Sequence, residues 1–158
     1  MNEIRQIIER FPLDELQVNP ATKKSIRILA EYIHATRSSF PVAIQLASIL
    51  INSCREEIKM TEEFRSAHPE NRAEVYSAPE VFLAFYLLML SQKADNLYHI
   101  RKEKKIGICK HLSIVCQHDN ETCSACKEKE AEIEISEANY ETVPPFHVGC
   151  RCGILITK

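Results

Sequence analysis

The feature that most limits how this chain can fold is a spaced set of soft ligands near its end: Cys123-Ser-Ala-Cys126, then His147-Val-Gly-Cys150-Arg-Cys152. A lone C-x2-C pair is weak evidence of anything. Two clusters separated by a hairpin's length give a C-x2-C…H-x2-C-x-C pattern, which offers five thiol or imidazole ligands to a tetrahedral site that needs four. The expectation is one structural Zn2+ ion, because a closed set of four protein ligands leaves no position for an activating water. The favoured set is Cys123, Cys126, His147 and Cys150. Cys152 is the substitute for His147, since residues 150 and 152 of an extended segment point the same way.

The chain has seven cysteines, an odd number that argues against a fully paired disulfide framework. Five of them follow residue 110. The opening MNEIRQIIERFPLDEL is amphipathic and charged, without the apolar core of an export signal, so a cytoplasmic setting is expected. In that setting the clustering fits metal binding better than disulfides. A second grouping, Cys109-x-His111 with Cys116-x-His118, fits no metal spacing and reads as buried strand cysteine beside exposed histidines. Cys54, in an apolar helix, reads as a small core residue. His34, His68 and His99 show no partner in the sequence.

The first hundred residues carry helical periodicity. Ile4, Ile7 and Ile8 share a face between Met1 and Arg10. Asn19-Pro20 is a helix start, with Asn at the cap and Pro in the first turn, and Ile26, Leu29, Ala30 and Ile33 recur behind it. Pro41 opens a third helix, PVAIQLASILINSCREEIKM, apolar on most sides and therefore expected to be central. Thr61 to Tyr76 is polar and reads as a short helix or a loop. Ser77 and Pro79 open a fourth helix, with Val81, Phe82, Phe85, Leu88 and Met89 toward the core, running through Asp95 and Tyr98 into RKEKK. Its ten-residue apolar run, Val81 to Leu90, is too short to cross a bilayer.

Gly107 breaks the pattern. Ile106 to Cys116 is strand-like, Ala131-Glu-Ile-Glu-Ile-Ser136 alternates apolar and polar, Pro144-Pro145 forces an extended turn, and CGILIT from Cys152 reads as a last strand. The expected class is α+β: a mainly helical N-terminal domain, residues 1–105, and a small β-rich zinc-binding module, residues 106–158. The composition, 45% hydrophobic and 27% charged, is that of a folded globular chain.

Asp119-Asn-Glu-Thr-Cys123-Ser-Ala-Cys126, Ile135-Ser-Glu-Ala138 and Val143-Pro-Pro-Phe-His147-Val-Gly-Cys150-Arg-Cys152 together resemble the C-terminal module of phage minor head or head-morphogenesis proteins. That family's pattern is a D-x-x-T-C-x-x-C turn, a short hairpin and P-P-x-H-x-x-C-R-C. The resemblance covers residues 106–155. It implies a zinc-stabilised β-rich module without known catalysis, in proteins that act in capsid assembly or DNA packaging.

The first functional reading is therefore a non-enzymatic zinc-stabilised structural or interaction protein, phage-derived and head-morphogenesis-like, with a protein partner still to be identified. A nucleic-acid-binding zinc protein is the alternative, through Arg101, Lys102, Lys104, Lys105 and Lys110, with Arg151 beside the zinc. Twenty Lys and Arg against twenty-two Asp and Glu, a formal charge of −2, lend it no support. A zinc-containing hydrolase ranks lowest. There is no H-x-E followed by P-C-x-x-C, no H-E-x-x-H and no phosphate-binding glycine loop. Glu130, Glu132 and Glu134 read as the wet face of a strand rather than catalytic carboxylates.

Overall fold

The computed structural model describes residues 3–14, 16, 18–54, 78–118 and 122–157. The fold is α+β and mostly helical. In chain order the described elements are α1 (Glu3–Glu9), α2 (Pro20–Thr36), α3 (Phe40–Cys54) and α4 (Pro79–Ile106). They are followed by β1 (His111–Cys116), the one-turn α5 (Ser124–Lys127), β2 (Ala131–Glu134), a 3-10 turn at Ile135–Glu137 and β3 (Cys152–Thr157). The readings made for Thr61 to Tyr76, His68, Ser77 and the third helix beyond Cys54 lie outside the described residues, as does the environment of the Cys54 side chain.

Local chemistry sets the helix ends. Asn19 Oδ1 accepts the Thr22 N–H at 2.9 Å, and Pro20 fills the first helical position, where no N–H is needed. Gly107 stops α4 in the left-handed region at φ 73°, its N–H donating to Glu103 O at 2.9 Å. An L side chain there would be strained, so the helix runs to Ile106 and the strand starts only at His111.

α4, not α3, holds the centre. α1, α2 and α3 all pack against it. It is buried nearly all round: Phe82, Leu83, Ala84, Tyr86, Leu87, Met89 and Leu90 are enclosed, while Val81, Phe85 and Leu88 are half-buried. The apolar sequence of α3 is explained differently. Ala43, Ala47 and Leu50 face α4, and Ile49 on the far side is 65% exposed. A hydrophobic sequence does not by itself place a helix at the centre; partners on several sides do.

The three strands form one antiparallel sheet in the order β2-β1-β3. Leu112, Ile114 and Cys116 alternate inward along β1. β2 is shorter than the alternation suggests, because the chain turns into the 3-10 segment at Ile135. The sheet's connecting loop is fixed to α4 by polar side chains. Lys93 Nζ donates to Tyr140 O at 2.5 Å, Asn96 Nδ2 to Pro144 O at 2.9 Å, and Lys104 Nζ to Ser136 O at 3.2 Å. The Pro144–Pro145 peptide bond in that loop is cis. No helix among the described residues is long and apolar enough to cross a membrane.

Candidate metal centre

Antiparallel pairing brings the end of β1 beside the start of β3, with Cys116 opposite Cys152 in register. The loop leaving β1 carries the first ligand pair, and the loop entering β3 carries the second. Both clusters therefore meet at one end of the sheet. Cys123 is the cap of α5 and Cys126 lies three residues on, so the two thiols fall on the same side of a single turn. In the second cluster Gly149, at φ 76°, makes the tight turn in which the Cys150 N–H donates to His147 O at 3.1 Å. That turn brings residues 147 and 150 together.

His147 Nε2 lies 3.1 Å from Cys123 Sγ and 2.9 Å from Cys126 Sγ, and Cys126 Sγ lies 3.5 Å from Cys150 Sγ. His147 Nδ1 is 2.8 Å from Val148 O. A carbonyl oxygen can only accept, so Nδ1 holds the proton. In the neutral ring Nε2 is then a bare lone pair aimed at two thiols, the tautomer a metal ion requires. The ring is 7% exposed and Cys126 is buried, while Cys123 and Cys150 are half-buried.

The donor set fits a metal. Zinc with bonds of about 2.0–2.3 Å sets its ligand atoms roughly 3.5–3.8 Å apart in a tetrahedron. Three of the separations are at or slightly inside that range, and Cys150 joins the cluster through Cys126: Cys123, Cys126 and His147 form one group within 4.8 Å, and Cys126, Cys150 and Cys152 another. The electrostatics suit it too. The Cys150 thiol is lowered to about 5, first by its hydrogen bond with Cys126 and then, against burial, by backbone amides of Phe146 and Cys152. Cys126 moves upward, through its bond with Cys150 and through burial. The pair leans toward a thiolate on Cys150, the form in which a cysteine binds a cation.

Cys152 is placed differently from the sequence expectation. Its Sγ is bonded to Cys116 Sγ across the β1–β3 pair. Its ligand atom nonetheless lies within 4.8 Å of those of Cys126 and Cys150. With Cys152 in the bridge, Cys123, Cys126, His147 and Cys150 are the four groups left to face one ion. The C-terminal cysteines thus divide into a cross-strand tie and a cluster that could hold a metal ion. Sequence spacing showed only the second, because cross-strand register is needed to see that Cys116 meets Cys152.

The other candidates are dispersed. Cys109 is buried, with its thiol 3.4 Å from Glu103, and His111 and His118 face Glu132 at 3.7 Å and Glu130 at 2.7 Å on the exposed side of the sheet. Glu134 accepts from Ser136 at 3.1 Å. Lys104 is spent on Ser136 and Ala138 carbonyls; burial, then Arg101, holds its ammonium below the usual range. Lys105 pairs with Glu3 at 2.7 Å. Arg151 donates to Gln117 Oε1 beside the metal cluster. His34, which had no partner in the sequence, meets Asp95 at 3.3 Å, and His99 approaches the same carboxylate at 3.6 Å. Comparison with family models, curated proteins and solved structures gives no match to this chain.

Proposed function

We propose that Cys123, Cys126, His147 and Cys150 hold one structural zinc ion, and that the chain is a non-enzymatic structural or interaction protein. In this reading the helical body is the platform and the zinc keeps a small sheet folded on it. The observation that carries it is the ring of His147, locked through Nδ1 with its bare Nε2 against two thiols. The sheet has strands of only four to six residues, too few to bury a core of their own. Metal binding would supply folding energy directly.

The D-x-x-T-C-x-x-C and P-P-x-H-x-x-C-R-C motifs support a further part of this reading, a module like that of phage head-morphogenesis proteins, whose partner would be another protein of the assembly. Two of the five cations that a nucleic-acid reading draws on besides Arg151, Lys104 and Lys105, are engaged within the chain. That favours a protein partner. The test is elemental analysis of protein purified without chelator, followed by cobalt replacement. About one zinc per chain and a thiolate-to-cobalt charge-transfer band with tetrahedral d–d intensity support the reading. Well under one equivalent of any metal, or an octahedral cobalt spectrum, rejects it.

A further inference from the structure

A cleft of about 920 Å³ opens between the end of α2, the middle of α4 and the turn that carries His147 and Cys150. Its size is that of pockets that take small molecules. The floor is apolar, formed by Ile33, Phe85, Leu88 and Met89. The Phe85 ring is braced by Phe40, their centroids 4.6 Å apart, so it offers a fixed aromatic face.

Charge gathers at the rim. Arg37 lies on the α2 side, exposed and with no ion pair among the described residues, and Arg151, whose guanidinium also donates to Gln117 Oε1, lines the cleft from the turn after Gly149. Asp95 is the one carboxylate among the described lining residues, and the imidazoles of His34 and His99 already stand against it. Arg37 occupies the left-handed position that closes α2, at φ 50°. Glycine or asparagine is the economical residue there, so a long cation is not what helix termination alone selects.

We propose that this cleft is a binding site for a small phosphate monoester with an aromatic or apolar group. The phosphate sits between Arg37 and Arg151, and the apolar part lies on Phe85, Leu88 and Met89. Donors approaching from two walls suit a three-oxygen acceptor better than a planar carboxylate, which one guanidinium can satisfy alone. The site stands on α2, α4 and the turn that carries His147, Cys150 and Arg151.

The experiment titrates phenyl phosphate into the full chain as purified, followed by amide NMR, with inorganic phosphate, benzoate and phenol as comparators. Saturable shifts are expected at His34–Ser38, Phe85–Asp95 and Gly149–Arg151, with phenyl phosphate the tightest of the four. Arg37→Gly, which relieves backbone strain and keeps the fold, is expected to weaken binding by about tenfold or more. Phe85→Leu should weaken phenyl phosphate while sparing inorganic phosphate. The proposal is overturned if no saturation occurs by roughly 10 mM, if phenol binds as well, or if Arg37→Gly binds unchanged. It is also overturned if a single-stranded oligonucleotide binds far more tightly and does so equally in Arg37→Gly, since the anion chemistry would then lie elsewhere.

Discussion

Lys93 is joined to Tyr140 twice: its ammonium donates to the Tyr140 carbonyl at 2.5 Å and sits 4.0 Å from the centre of the same residue's ring. The lysine is 3% exposed, in the middle of α4, and Tyr140 belongs to the loop between β2 and the metal turn. A buried cation set against a backbone carbonyl and an aromatic face of the loop is a fastener between the helix and the sheet.

Lys93→Met keeps most of the side-chain volume and removes both contacts. A loss of about 1.5–3 kcal/mol is expected, the range for a hydrogen bond to a charged group. Urea unfolding monitored by circular dichroism measures it. An unchanged midpoint would mean that the loop is held by other contacts.

Cys126→Ser should remove the metal and cost several kcal/mol of stability, because ligand binding energy is also folding energy. Cys109→Ala, at a buried thiol outside the cluster, should cost only about 1 kcal/mol. Thermal melts with and without a chelator compare them. The chelator should lower the melting temperature of wild type and of Cys109→Ala, and leave Cys126→Ser unmoved.

Much of this arrangement is readable in the sequence, and the unreadable part has one cause. Asn19-Pro20 and Gly107 announce helix ends because capping is local chemistry, and the two ligand pairs announce themselves because each must close on one ion within a turn. Lys93 and Asn96 look like ordinary wet helix positions, and only the carbonyls of Tyr140 and Pro144, more than forty residues away, explain their burial. The His34–Asp95 contact and the Cys116–Cys152 bridge are hidden for the same reason. The central place of α4 depends on which helices pack around it, and its periodicity alone does not carry that.

Zinc should be held at neutral pH and released as the pH falls from about 6 to 4. The sign follows from competition, since protons take the thiolate and imidazole lone pairs that the ion needs, so affinity drops with each step toward acid. Dialysis against chelator-free buffers, with zinc measured in the retained protein, traces the loss. Full retention through that range would contradict thiolate and imidazole ligation.

Arg37→Gly should raise stability by about 0.5–1 kcal/mol, because glycine adopts the left-handed backbone at φ 50° without a Cβ clash. For a chain of this size that is an increase of roughly 1–4 °C in melting temperature. Arg37→Ala, which keeps the Cβ, should gain nothing. A fall with glycine would show that the arginine side chain supports the fold.

At 28 residues α4 is roughly 42 Å of unbroken helix, and its two halves answer to different neighbours. In the first half Phe85 packs on Phe40 of α3; from Lys93 onward the helix underlies the sheet's loop and meets α1 through the Lys105–Glu3 pair. Hydrogen exchange should therefore be graded along one helix. The amides before Leu90 open only when the whole molecule unfolds, while those near Asn96 and Lys104 acquire a faster route whenever the metal is withdrawn. The helix becomes a built-in ruler, on which the position of the boundary between slow and fast exchange reports how much of the fold the ion sustains.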